Sequence, residues 1–201
     1  MINRFTFSNA ALASWFLADG ILCFRVVYIV GAEPMEVSWG ITMLCLVLFV
    51  ATRKPPVSVD DRLSTRIIVF IGTFLPTFYF WLPTSEDISS YSILLRSMGM
   101  IGIVSSILYL NTNFSLLPQL RRIVRKGPYE IVRHPMYTSY LVLDLTLWLP
   151  DESLLGGVVW IGEAAFLYWR ANLEETILKM NSDDYESYCL RVSYRFVPGI
   201  V

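Results

Sequence analysis

The sequence predicts an all-α fold, a polytopic transmembrane helical bundle in one integral-membrane domain, and three observations carry that prediction. The 201 residues are 55% hydrophobic with a mean hydropathy of +0.53. Only 16% are charged, where a soluble domain carries about 25%. The apolar residues gather into six runs, and the polar segments between them alternate between acid-only and basic. The net charge of -1 says little, because charge position governs a membrane protein. No basic patch of the kind found on soluble nucleic-acid binders is present, so nucleic acid is not an expected partner.

The first run covers residues 10–30, with Asp19 and Arg25 inside it. Ionisable groups at that depth face a bundle interior or snorkel, and six residues apart they do not share a helix face well. An acidic turn at 31–36 leads to the second run, 37–52, which Arg53-Lys54-Pro55-Pro56 stops. After a polar loop to residue 66, the third run, 67–82, carries Pro76 as an expected kink. The loop 83–90 has no basic residue. In the fourth run, 92–110, Gly99 and Gly102 leave so little bulk that another helix or a ligand can approach closely. The stretch 119–140 then holds five of the 16 basic residues and the single histidine. A fifth run, 136–149, turns at 150–153 and returns as a sixth, 154–169. Both are near the lower limit for crossing, roughly 17 residues. The count is therefore six membrane segments, or five with these two as a short embedded hairpin.

Loops 31–36, 83–90 and 150–153 contain no Lys or Arg, whereas 53–66, 121–133 and the tail after 170 are rich in them. The positive-inside rule places both termini and the central stretch on the cytoplasmic side. Residues 1–110 then read as a transmembrane scaffold, and 111–201 as the part in which chemistry is expected. Cys23, Cys45 and Cys189 follow no metal or redox spacing, and no metal site is expected. The first run is polar-interrupted and lacks a small-residue cleavage site, so it does not read as a cleavable signal peptide.

Two constellations carry candidate chemistry. Arg133-His134-Pro135 opens the fifth helix, with Pro at the favoured first position. A helix N-terminus exposes unpaired N–H groups and partial positive charge, which suits a carboxylate or phosphate. The plainer reading is a snorkelling Arg-His pair with interface aromatics, Tyr137 and Tyr140 sharing one face. In the second constellation Arg170 and Glu174 are four apart on one face, with Glu175 beside them. The plainer reading there is an ion pair worth a few tenths of a kcal/mol. Tyr185 and Tyr188 also share a face, so this piece can fold as a helix over the site. An anion subsite, two carboxylates and aromatics beside lipid match what S-adenosylmethionine needs: cationic sulfonium and amino groups, a carboxylate, ribose hydroxyls and adenine.

In this order, Gly127-Pro128-Tyr129, Arg133-His134-Pro135-Met136-Tyr137, Glu174-Glu175-x-x-Leu178, Tyr185-x-x-Tyr188 and Arg195…Pro198 resemble the isoprenylcysteine carboxyl methyltransferase family. The related phospholipid N-methyltransferases share parts of the pattern. The resemblance covers about the last hundred residues. It implies an integral-membrane, S-adenosylmethionine-dependent enzyme with the cofactor between the Arg-His-Pro and Glu-Glu segments. It implies cofactor contacts at Gln119, Arg121, Ile123, Val124, Gly127, Tyr129, Arg133, His134, Pro135, Tyr137, Glu174 and Glu175. Arg170 matches the arginine that the family places near the methyl acceptor, and is the expected catalytic residue. Arg121-Arg122 stand where the eukaryotic enzymes carry more polar His/Thr-type residues, and the chain is shorter than those enzymes.

Methyl transfer is an in-line displacement at an already activated carbon, so the protein chiefly aligns partners and excludes water. The resemblance favours a prenylcysteine-like carboxylate as acceptor, which Arg170 would orient without a base. A phospholipid amine is the alternative, with Glu175 or His134 as base. Either acceptor enters from the bilayer between helices. An NADPH-dependent membrane reductase is a further reading, since sterol reductases carry a similar Arg-His-Pro-x-Tyr segment. Met136 and Ser139-Tyr140 depart from that pattern, and the reading leaves Glu174-Glu175 unexplained. A non-enzymatic membrane protein is the third.

Overall fold

A computed structural model describes residues 4–30, 34–52, 58–59, 63, 65, 67, 69, 90–115, 119–120, 122–148 and 154–200. Its helices are α1 (Arg4–Val30), α2 (Pro34–Thr52), α3 (Ser90–Leu110), α4 (Pro135–Trp148), α5 (Leu154–Asn181) and α6 (Asp183–Arg191), with 3₁₀ turns at Asn111–Asn113 and Gly127–Glu130. The all-α expectation needs one small correction. Ser58–Val59 (β1) and Gln119–Leu120 (β2) pair antiparallel, Ser58 with Leu120 and Val59 with Gln119.

Five of the expected runs coincide with helices, because long apolar stretches free of interior proline satisfy their backbone groups internally. Of the third, 67–82, only Ile67 and Val69 are described. Of the turns expected at 31–36, 83–90 and 150–153, only residues 34–36 and Ser90 are described, and these already belong to α2 and α3; Arg121 lies outside the described residues. The sixth run continues without a break into the tail, making α5 a 28-residue helix. Among the described residues one helix, Tyr91–Asn113, is long and apolar enough to cross a membrane. Of the six expected spans, that one is met on length and apolarity. The 14 described residues of α4 reach about 21 Å, shorter than a bilayer core of about 30 Å.

The chain divides into two compact units. The first comprises Met1–Pro55 and Leu110–Phe114. In it α1 and α2 run antiparallel, with Gly20 against Met43 and Gly40 against the Phe24 ring. Phe16, Met43, Leu46 and Val50 form its core, and Phe16 meets Phe114 edge-on at 6.0 Å. Asp19, the acid within the first run, accepts a hydrogen bond from Trp39 Nε1 at 3.2 Å.

The second unit comprises Pro56–Tyr109 and Ser115–Val201 and holds every candidate site residue. Helix α3 buries Ser92, Met100, Ile103, Ser106 and Ile107 on one stripe and exposes Ile93, Leu94, Met98, Ile101 and Leu108. An outer face that apolar is expected in lipid rather than water. Gly99 faces Leu143 and Gly102 faces Ser139, so α3 and α4 lie antiparallel with backbones close. These glycines serve helix packing; a Cβ at Gly102 would collide with Ser139 Oγ. Helix α5 docks on α4, where Trp160 Nε1 donates to the Leu141 carbonyl at 2.9 Å. Tyr185, Tyr188 and Val192 make a small core with Ile123, Leu178 and Cys189. That core fixes α6 and the segment following it.

Candidate functional site

The site is built where the start of α4 meets the middle of α5, with the C-terminal segment laid across both. Pro135 is the first residue of α4, and its fixed φ suits that position. Several N–H groups around this terminus already have partners, those of Arg133, His134, Tyr137 and Thr138. Arg133 N–H donates to the Tyr194 carbonyl and His134 N–H to the Arg195 carbonyl, both at 2.9 Å. Thr138 Oγ1 donates to the Phe196 carbonyl at 2.7 Å. The Arg133 guanidinium is engaged as well: Nε on Glu175 Oε1 at 2.9 Å, Nη1 on the Val192 and Ser193 carbonyls at 2.8 and 2.7 Å. The Arg133 charge and the two N–H groups ahead of the helix, expected to serve an anion, are taken by the chain's own carboxylate and carbonyls, because the tail returns to this helix end.

Glu175 is the hub of this arrangement. Its Oε1 also meets His134 Nε2 at 3.2 Å, and its Oε2 accepts from Arg195 Nη2 at 3.0 Å. Burial pushes the Glu175 carboxyl up, but the hydrogen bonds from His134 and Arg133 outweigh it and hold the group at about 2. Glu174, one residue earlier, has a different setting. Its Oε1 accepts from Tyr137 OH at 2.6 Å and Arg170 Nε at 3.2 Å. Its Oε2 lies 3.8 Å from His134 Nδ1, and the side chain is 21% exposed. Glu174 is therefore the carboxylate of the pair with acceptor capacity to spare.

Arg170 is buried. Its Nη2 donates to the Ser115 carbonyl at 3.3 Å, and its guanidinium lies 5.3 Å from the Tyr137 ring centre. Burial works against its charge, and Tyr137 and Glu174 beside it more than compensate. The His134 ring stacks on Tyr137 at 5.3 Å and meets Phe196 at 5.8 Å. Arg195 lies over the Tyr168 ring at 5.5 Å.

Of the residues singled out from sequence, Arg133, His134, Tyr137, Arg170, Glu174 and Glu175 come together in this one network. The others are placed around it. Tyr129 is buried, and its carbonyl accepts from Tyr188 OH at 2.7 Å. Burial, first, raises both phenols, Tyr188 to about 12, so both act as neutral groups. Ile123 packs under the Tyr185–Tyr188 core, and Val124 is half-buried. Gln119 contributes backbone pairing to β2. Gly127 has φ +63 and packs on the Tyr109 ring. Gly127→Ala is expected to cost roughly 2 kcal/mol or more, from the left-handed backbone and the collision with Tyr109. Thermal unfolding in detergent measures it as a lowered Tm.

Sequence reasoning assigned no role to Arg195 or Phe196, although both fall in the motif ending at Pro198. It passed over Asp144 and Glu163 altogether. These two acids, on α4 and α5, hydrogen-bond each other within the helix pair. Their signal was plain enough: each is an acid inside an apolar run, the feature noticed at Asp19.

The donor set allows a test of fit for S-adenosylmethionine. Glu174 suits a cationic or hydroxyl-bearing group, and the rings of His134, Tyr137 and Phe196 suit a sulfonium or adenine face. Arg133 is committed to Glu175, so it does not present an unengaged partner for the cofactor's carboxylate.

Residues 89–182 match the model of the phospholipid methyltransferase family, just under half of the chain and most of the network above. No curated protein matches. Among solved structures, the chain is similar to the eukaryotic intramembrane Ras methyltransferase, isoprenylcysteine carboxyl methyltransferase. That similarity has 18% identity and a TM-score of 0.49, over 96% of this chain and 75% of that one. The family match bears out the resemblance drawn from the motifs and the reading of this segment as that of a membrane methyltransferase.

Proposed function

We propose that the chain is a multi-pass membrane methyltransferase that uses S-adenosylmethionine to methylate a lipophilic acceptor drawn from the bilayer. The observation that carries this reading is Glu174. It is a partly exposed carboxylate with Tyr137 and Arg170 on one oxygen, set among aromatic rings beside apolar helices. The family match over residues 89–182 supports the same chemistry. Glu174 and the aromatic set would hold the cofactor, which supplies an activated methyl group. Arg170 would orient the acceptor, while the surrounding helices exclude water. The positive-inside rule, applied to the basic loops, favours a cytoplasmic site and cytoplasmic termini.

Two acceptor classes fit. A prenylcysteine-like carboxylate would use Arg170 as its partner. A phospholipid amine is favoured by the matched family's own description. Transfer of labelled methyl from S-adenosylmethionine to prenylcysteine and aminophospholipid acceptors, with the purified chain, tests the proposal. Methylation of either acceptor supports it, and binding of NADPH in place of S-adenosylmethionine contradicts it.

A further inference from the structure

We propose that His134 is the proton acceptor when this site methylates an amine, and that Glu175, locked by Arg133 and Arg195, is the residue that positions it. This rests on the methyl-transfer reading above and assigns the base within it. Two residues are candidates by chemistry and place, and the geometry separates them. Glu175 has Arg133 Nε and His134 Nε2 on one oxygen and Arg195 Nη2 on the other. A carboxylate that so many donors stabilise in its ionised form is a poor base. His134 is differently disposed. Its backbone N–H is held by the Arg195 carbonyl at 2.9 Å, and its ring stacks on Tyr137 and meets Phe196 at a tilt. With Nε2–H donated to Glu175, the neutral ring keeps its lone pair on Nδ1. Nδ1 lies 3.8 Å from Glu174 Oε2, beyond hydrogen-bond length. An ionised carboxylate only accepts, so Glu174 does not engage the lone pair; it lies close enough to favour the proton once Nδ1 has taken it up.

The charged groups around the ring suit the product of proton transfer. Glu174 and Glu175 approach from α5, Arg133 precedes it, Arg195 reaches in from the C-terminal segment, and Arg170 sits beyond Glu174. Each arginine is paired with one of the two glutamates, and the two carboxylates flank the imidazole. An imidazolium formed there is stabilised on both sides, as in a base oriented by a buried acid. In the step, the amine nitrogen forms a bond to the methyl carbon as the carbon–sulfur bond breaks. The electron pair leaves on sulfur, and the proton shed by nitrogen moves to Nδ1. A carboxylate acceptor sheds no proton, so the same residue has no such role with it.

His134→Gln keeps an amide donor toward Glu175 and removes the base. The test uses the full chain in lipid–detergent micelles at saturating S-adenosylmethionine. Its acceptors are an ethanolamine phospholipid and a farnesylated cysteine, and cofactor affinity is measured separately. Loss of the ring is expected to lower transfer to both acceptors by the amount that weaker cofactor contact explains, and transfer to the amine to fall a further roughly 100-fold. Added imidazole is expected to restore part of the amine activity of His134→Gly. Amine transfer equal in wild type and His134→Gln overturns the assignment. So does an equal loss on both acceptors without imidazole rescue, which marks His134 as structural. Wild-type protein that binds S-adenosylmethionine and methylates only the carboxylate overturns it too, and leaves the proposed function standing. Wild-type protein that neither binds S-adenosylmethionine nor methylates either acceptor overturns both.

Discussion

Replacing Glu175 with alanine is expected to destabilise the protein by about 3–5 kcal/mol and to release the C-terminal segment. Three cationic or polarised groups, Arg133, His134 and Arg195, converge on this one carboxylate. Glu175 is 3% exposed, and Arg133 and His134 only 9% and 8%, so water cannot substitute for the lost partner. Breaking a buried pair on one side leaves uncompensated charge, which costs more than the pair itself contributes. Thermal unfolding and limited proteolysis after α6 read the two effects. The same carboxylate gives a pH dependence. Its folded value is lowered from 4.5 to about 2, worth about 3 kcal/mol. A lowered carboxyl stabilises the fold above its unfolded value and loses that contribution when it protonates in the folded state. The contribution is therefore complete above about pH 4.5 and fades as pH falls toward 2. In Glu175→Ala this acid limb should flatten. A variant as stable as wild type, with the limb unchanged, would show that the three groups do not depend on Glu175.

Arg170→Ala is expected to leave S-adenosylmethionine binding nearly intact and to collapse methyl transfer. Losing a charge-assisted contact made mainly in the reactive complex should cost on the order of 2–4 kcal/mol of barrier, or roughly 30- to 1000-fold in rate. Arg170→Lys should rescue only partly, since a point charge cannot reproduce a planar fork. The rival account is visible in the geometry: Arg170 Nε already donates to Glu174 at 3.2 Å, four residues on. If holding Glu174 is all that Arg170 does, the Arg170 and Glu174 variants will weaken cofactor binding alike. The double variant will then be no worse than either single one. Cofactor affinity and turnover on all three variants decide between the accounts.

The helices were legible because a long apolar run bounded by polar segments must satisfy its own backbone groups, whichever of its residues face protein or lipid. The Arg170–Glu174 pair was legible because four residues make a helical neighbour. Arg133, His134 and Glu175 were legible as motif members but not as partners, since the contact spans 42 residues for Arg133 and 41 for His134. The return of residues 192–196 to the start of α4 was illegible for the same reason. A helix N-terminus read in isolation offers free donors, and only tertiary structure says who takes them. Asp144 on α4 and Glu163 on α5 pair between the two helices, and no local spacing links them.

The most direct measurement is titration of S-adenosylmethionine into the purified chain in detergent, in wild type and Glu174→Gln. The amide keeps the shape and removes the charge that favours a cationic, hydroxyl-bearing ligand. Saturable binding to wild type is expected, with affinity at least tenfold lower in the variant, about 1.4 kcal/mol. NADPH should not bind. Equal affinity in a well-folded Glu174→Gln protein, or binding of NADPH in place of S-adenosylmethionine, would contradict the account.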